Sequence, residues 1–510
     1  MIEDFRQRDG TADIVTDICI IGAGAAGITL ALSLADSDLS CCMVESGGMD
    51  FDSGIQSLGE VEQTHTDDGY VCHLRYFGGA TNHWGGWCAP LNTLDFEPRP
   101  WVPGSGWPIR KEELDPYYTA AQAICGLGPF AYDTDDLPDD SRDYRLFNDG
   151  KLTTRLYQFS IPPKRFGTAY EATLRNAANI RVLLHANITH LETNRDASAV
   201  KAARIRTPGG TSGRIVAKRF VIACGGIQNA RLLLLSNETE KRGLGNSNDL
   251  VGRHFMQHPH APCASLVTAD REAVTHLFDR FHNDGFTFRA SLGPSAVQQR
   301  EHNILNSSAT LDRSPDPVSG VGALRHIWRD VKRGEWPDEL GKKLWSVISD
   351  LDSLTTAPQL MTLYMRSEQS PNPESRVMLG KSHDQLGLLK ARVDWRLTDL
   401  DKRTVYTASR LIGEELARLN VGRVKLPDWL TARDANWSQE LWGGCHLMGT
   451  TRMSDSPGTG VVDPDCRMHT VGNVFIAGSS VFPTSGYANP TLTIVALSLR
   501  LADHLKTLND

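Results

Sequence analysis

No stretch of this sequence approaches the roughly 18 uninterrupted apolar residues that a bilayer-crossing helix needs, so no transmembrane segment is expected. Residues 1–10 are charged and lack an apolar centre, so no secretory signal is read there. Runs of lysine and arginine are missing and the formal net charge is −8, which argues against nucleic acid as a partner. No C-x-x-C pair occurs among the ten scattered cysteines, and Cys41 and Cys42 are adjacent in a predicted buried strand. They read as reduced, buried, small hydrophobic residues, which implies a reducing compartment. A cytoplasmic location is therefore expected, with export alongside a partner chain left open. No repeat or low-complexity tract stands out, and no metal site is expected.

What is present is an ordinary globular composition, 40% hydrophobic and 22% charged, in 510 residues. That length is too great for one small core, so two large subdomains or a discontinuous pair are expected. Residues 16–21 form a short apolar run of strand type, followed by Gly22-Ala23-Gly24-Ala25-Ala26-Gly27. A helix pattern follows over 28–35, then a second strand over 40–44 that ends at Glu45 and Ser46. This is the βαβ context in which glycines cradle a pyrophosphate and a helix N-terminus offers free N–H groups to it. Glu45, 18 residues after Gly27, suits ribose hydroxyls and disfavours a 2′-phosphate, so NADP is not expected. The motif alone leaves NAD and FAD open.

Residues 181–190 and 201–207 read as strands, with Ile188 in the first. A buried strand from Arg219 runs through Ala223 into Gly225 and Gly226, and a helix bearing Asn229 begins at Ile227. Small residues at a strand end suit the close approach of a nucleotide. A second glycine-rich block, Tyr76-Phe77-Gly78-Gly79-Ala80-Thr81-Asn82-His83-Trp84-Gly85-Gly86-Trp87-Cys88, fits neither helix nor strand. It suggests backbone wrapped around a flat ligand. Near the C-terminus, His446 follows Gly443-Gly444-Cys445, and Gly478, Ser479, Asn489, Pro490 and Thr491 precede a final helix over 491–505. His446 pairs a base that titrates near ~6.5 with the neutral amide donor Asn489, a combination suited to alcohol oxidation.

Taken together and in order, GAGAAG with Glu45, YFGGATNHWGG, ACGGIQNARLLL, HLMGTTRM and SGYANPTLT resemble the glucose–methanol–choline (GMC) flavoprotein oxidoreductases, nearest the bacterial sugar-oxidising branch. The resemblance covers the first ninety residues, about 180–260 and the last seventy. It implies FAD and an alcohol or sugar substrate, with His446 as base and Asn489 as its partner. It further implies that Gly22, Gly24, Ala25, Ala26, Gly27, Glu45, Ser46, Gly78, Gly79, Thr81, Asn82, His83, Trp84, Gly85, Ile188, Ala223, Gly225, Asn229, Gly478, Ser479, Asn489, Pro490 and Thr491 surround the cofactor. In pyranose oxidases the matching histidine bonds covalently to the flavin 8α-methyl, so His83 is a candidate for that link. Gly85 stands where those enzymes carry threonine, which speaks against the bond. His258 reads as structural or pocket-lining. Two alternatives remain on the same scaffold: a non-redox lyase, or oxidation of a non-sugar alcohol in secondary metabolism.

The expected fold is α/β plus α+β. A discontinuous Rossmann-like FAD-binding domain spans 1–100, 180–262 and 440–510. An antiparallel-sheet substrate domain spans 101–179 and 263–439, with strands over 361–365, 376–379 and 386–397, a helix over 404–419, and a helical hairpin near 319–354. The hairpin's basic residues offer either a docking face for an electron-acceptor protein, a lipid surface or a second subunit, or a lid with solvated charges; the lid is favoured.

Overall fold

The computed structural model describes residues 1–8, 12–63, 72–136, 147, 150–268, 274, 276, 278–313, 360–432, 434 and 436–508. The apolar strands Ile14–Ile21 and Cys41–Val44 pair in parallel, joined by the helix Ala25–Leu34. Ile18, Ile20, Cys42 and Met43 are all buried, as a strand covered on both faces requires. The sheet runs Ile2–Asp4, Ile180–Leu184, Cys41–Val44, Ile14–Ile21, Ser212–Ile222, Val200–Arg206, Asn187–Thr193, and Val474–Ile476 adds a further parallel pairing to Ser212–Ile222. Its first five strands are mutually parallel, and the last two pairings are antiparallel. The single strand expected over 181–190 is two strands in different places in the sheet. The break falls at His185, whose φ of 53° no strand tolerates.

A second sheet is antiparallel throughout, in the order Arg423–Lys425, His260–Val267, Leu360–Ser367, Ser307–Arg313, Phe286–Pro294, Leu152–Phe159, Trp87–Cys88. Its central strands Ser307–Arg313 and Leu360–Ser367 alternate. Leu292, Ala309, Leu311, Met361, Leu363 and Met365 form one hydrophobic cluster with Val405, Ala408, Leu411, Ile412 and Leu416 of the helix Asp399–Arg418. The intervening residues, Ser308, Thr310, Asp312, Tyr364 and Arg366, therefore present a polar face on the other side. The helix begins five residues earlier than its apolar stripe suggests, because a Thr398–Asp401 capping box starts it; such a cap contributes about 1 kcal/mol.

The strands Arg376–His383 and Leu389–Asp394 do not join that sheet as expected. They form a separate three-stranded sheet with Val61–Gln63, beside the helix Gly225–Leu235. Alternation predicts a strand but not its partner, and here the partner lies over 300 residues away in sequence. The stretch expected to form a helical hairpin near 319–354 lies outside the described residues.

Candidate active site

Between the two large sheets lies a cavity of about 480 Å³. Three helix N-termini open onto it, at Ala25, Gly225 and Thr491, and none is capped by a side chain. Their free N–H groups and positive dipole ends form a receptacle for anionic groups. Gly22 and Gly27 serve packing: a Cβ on Gly27 would stand 1.9 Å from the Gly22 carbonyl oxygen, and one on Gly22 2.6 Å from that of Ala223. A Cβ on Gly24, Gly225 or Gly478 would meet no protein atom within 4 Å, so these three leave room for a ligand. Buried Glu45 accepts from Ala23 N (3.0 Å), Gly47 N (3.0 Å) and Ser46 Oγ (2.9 Å). That holds the carboxylate at the cavity wall with lone pairs to spare for hydroxyl donors. The Asn489 Oδ1 is buried without a partner in the same wall. Free N–H groups, a carboxylate and an open glycine cradle make a donor set that fits a dinucleotide.

The candidate base stands at the other end of this cavity. Two antiparallel bridges, Met256 to Met448 and His260 to Trp442, clamp the tail onto the segment that leads into the strand His260–Val267. Residues 443–447 bulge between them. The bulge needs positive φ at Gly444 (64°) and Cys445 (59°), and a Cβ on Gly443 would stand 2.2 Å from the Gln257 side chain. A Cys72–Cys445 disulfide, with Cα atoms 4.7 Å apart, ties the bulge to the glycine-rich loop.

His446 Nδ1 lies 2.8 Å from His258 Nδ1, and His258 Nε2 lies 3.3 Å from the Ser485 carbonyl oxygen. A carbonyl only accepts, so His258 carries its hydrogen on Nε2 and presents a bare Nδ1. The hydrogen between the two rings then belongs to His446 Nδ1, which leaves His446 Nε2 bare. Burial pushes His258 down to about 4 and His446 and His260 well below the ordinary histidine value, with Arg366 lowering all three further. All three rings are neutral near pH 7. Their nitrogens lie within 4.8 Å of one another, a donor set a transition metal could also use. Two tetrahedral ligands at about 2.05 Å from one ion stand roughly 3.3 Å apart. The 2.8 Å contact is closer than that and is a hydrogen bond.

Residues 371–498 match the family model described as GMC oxidoreductase. Over that quarter of its length the chain is similar to the GMC oxidoreductases, and it is an FAD oxidoreductase acting on CH–OH groups. It is 27% identical to the 6'''-hydroxyparomomycin C oxidase of Streptomyces lividus, over 97% of this chain and 93% of that one. It is 24% identical to the fructose dehydrogenase large subunit of Gluconobacter japonicus, over 97% and 98%. Among solved structures, pyridoxine 4-oxidase from Mesorbium loti superposes with a TM-score of 0.63 at 17% identity, over 97% and 100%. That last likeness is one of fold.

In this chain the cavity collects Gly22, Gly24, Ala25, Ala26, Glu45, Ser46, Gly79, Thr81, His83, Trp84, Gly85, Ile188, Ala223, Gly225, His446, Gly478, Ser479, Asn489, Pro490 and Thr491. Four residues expected at the cofactor stand behind its wall. Gly27 packs on Gly22, and Gly78 on Asn82 and Gly167. Asn82 donates to the Phe77 carbonyl oxygen. Asn229 accepts from Cys224 N (2.7 Å) and donates to Ser480 Oγ (2.8 Å), tying the residue before a helix to the tail. The motif residues were legible, but a motif mixes residues that touch a ligand with residues that shape its cradle.

The sequence reading missed Arg75, Leu386 and Leu388, which also line the cavity; His258, read as structural or pocket-lining, orients the candidate base. Arg75 adjoins the glycine-rich loop and had a signal in its position; the two leucines come from the small sheet and had none. The reading of all ten cysteines as reduced is corrected by Cys72–Cys445; the other eight are free. The two partners lie 373 residues apart, beyond any spacing rule. Among the described residues no helix is long and apolar enough to cross a membrane.

Proposed function

We propose that this chain oxidises a secondary hydroxyl of a sugar or glycoside to a carbonyl, with His446 as the base. The observation that carries the proposal is the bare His446 Nε2, held in the cofactor cavity by the His258 hydrogen bond. The parallel sheet, read as a Rossmann-like FAD fold, holds the cofactor through Glu45, the three helix N-termini and the Gly79–Gly85 loop. Bound FAD supplies the hydride acceptor. His446 Nε2 takes the hydroxyl proton, and its Nδ1–H stays on His258, so the imidazolium that forms is hydrogen-bonded from the outset. The Asn489 amide donates to the substrate oxygen as its charge grows, without competing for the proton. The N-terminus of the helix Thr491–Thr507 favours negative charge on the bound cofactor. The sugar-oxidising names among the relatives support the substrate class. The disulfide argues for an oxidising compartment over the cytoplasm.

The test is anaerobic bleaching of the oxidised flavin on adding a sugar or simple alcohol. His446→Ala is expected to keep its FAD and lose about 10²–10⁴ in the rate of bleaching. A flavin that stays oxidised while substrate is consumed overturns the oxidase or dehydrogenase reading in favour of a lyase.

A further inference from the structure

The polar face of the antiparallel sheet carries a half-buried cation that has, among the described residues, no carboxylate of its own. Arg366 stands beside the active-site end of the cavity. Its guanidinium lies 4.5 Å over the Trp87 ring, which lines the cavity, and 5.8 Å from Tyr364, which accepts a hydrogen bond from the cavity-lining Trp442. Its one hydrogen bond among the described residues is Nη1 to Thr310 Oγ1, at 3.3 Å. The carboxylate beyond that hydroxyl, Asp312, is ion-paired with Arg289 through Oδ1 and takes the Thr310 hydroxyl on Oδ2 at 3.0 Å. Two guanidiniums therefore share one carboxylate. Burial lowers the Arg366 pKa, the mark of a cation whose lost hydration is not replaced.

Directly across the strand pairing from Arg366 is His260. It is 4% exposed, and among the described residues both its ring nitrogens lack a partner. It lies 5.6 Å, centre to centre, from His446 and against Gly444, where a Cβ would come within 2.7 Å of its ring. An unpartnered neutral donor and an uncompensated cation thus sit side by side, within a sugar's width of the candidate base. Stability does not call for a buried histidine without a partner beside a cation, since buried polar groups are ordinarily satisfied.

We propose that His260 and Arg366 form a subsite for an anionic substituent of the substrate, so that the preferred substrate is an acidic sugar or glycoside. This inference rests on the base reading only for where the substrate lies. A planar carboxylate suits the guanidinium fork best, because both its oxygens can be met in parallel; a phosphate ester offers the same charge without that planarity.

Three pyranoses that differ only at C6 separate these cases: glucuronate, glucose 6-phosphate and glucose. Binding to the FAD-loaded His446→Ala variant, followed by calorimetry, reads affinity without turnover. Glucuronate is expected to bind at least tenfold more tightly than glucose, about 1.4 kcal/mol. Adding Arg366→Gln should cut that ratio to within threefold, while Arg366→Lys, which keeps the charge but not the fork, should retain part of it. Tighter binding of glucose 6-phosphate than of glucuronate keeps the anion subsite and changes its ligand to phosphate. Equal binding of glucose and both anions, or a preference that survives Arg366→Gln, overturns the proposal and leaves Arg366 a structural clamp on Trp87. Should Arg366→Gln not fold, the three ligands on the His446→Ala variant still decide. Flavin bleaching by these sugars in the wild-type protein tests the base reading separately, so either idea can fail alone.

Discussion

Replacing His258 tests how the base is aimed. Its Nδ1 is the acceptor that holds the hydrogen of His446 on Nδ1 and the lone pair on Nε2. His258→Leu removes that acceptor and leaves the N–H facing an apolar group inside the protein. A hydrogen bond to a group that becomes charged is worth about 1.5–3 kcal/mol. The imidazolium formed as His446 takes the proton is such a group, whereas the resting neutral ring loses only the smaller, neutral bond. The difference between the two, about 1–1.5 kcal/mol, should slow flavin reduction roughly 5- to 12-fold at about 1.4 kcal/mol per factor of ten, with little change in the substrate concentration for half-saturation. His258→Asn is the control, because its amide oxygen occupies nearly the place of Nδ1 and can accept the same hydrogen. It should recover most of the rate although the bond to the Ser485 carbonyl is lost. Anaerobic stopped-flow on FAD-replete protein measures both. A loss under threefold in His258→Leu, a change confined to half-saturation, or an asparagine variant as slow as the leucine one would refute the assigned tautomer.

Acid should destabilise the folded protein in a defined window. Burial holds His73 and His258 near 4, below the ordinary value of 6.5, so both are neutral when folded and protonated when unfolded over that range. Their contribution is complete above about 6.5 and is lost as pH falls toward 4, at up to about 1.4 kcal/mol per pH unit each. A melting temperature that does not fall between pH 7 and pH 5 would contradict those assignments. Reducing the Cys72–Cys445 bridge, or replacing Cys72 by Ser, should cost about 2–4 kcal/mol and slow flavin reduction, because the bulge that carries His446 loses one tether; unchanged melting and rate would show the bridge to be idle. For His83, which lines the cavity beside Trp84, acid denaturation is expected to release free FAD, and flavin that stays with the precipitated protein would establish the covalent bond instead.

The nucleotide end was legible because its constraints are local. Gly27 is dictated by the Gly22 carbonyl five residues away, Gly22 by its own positive φ of 108°, and Glu45 follows from the length of one helix and strand. The tail was legible for a similar reason: a turn with positive φ at Gly444 and a helix start after Pro490 both leave composition signals. What escaped is long-range. The His258–His446 bond spans 188 residues, and nothing near His258 marks it as other than a buried histidine. The strands at 376–394 show the right alternation, but sheet membership is settled by which edge is free, and the Val61–Gln63 edge offers itself only in three dimensions. Motif residues such as Asn229 show the converse limit: their pattern is evident, while their task is to brace the wall and not to touch what lies within it.

The same cation that marks the proposed subsite also bears on the base. Burial above all lowers the proton affinity of His446, and His258 and Arg366 add to this, so in the free protein the base is bare well into the acid range. An anion held by Arg366 would cancel that field at the moment the substrate hydroxyl arrives, so the base would gain proton affinity only when it has a proton to take. The sign of the effect is testable in one protein without mutation. The acid limb of kcat/KM reports the free enzyme and that of kcat the complex. With an acidic sugar the kcat limb should lie at higher pH than the kcat/KM limb, and with its neutral counterpart the two should differ less. Limbs that coincide for both sugars would mean that the charge of Arg366 does not reach His446 through the bound substrate, whatever holds the anion.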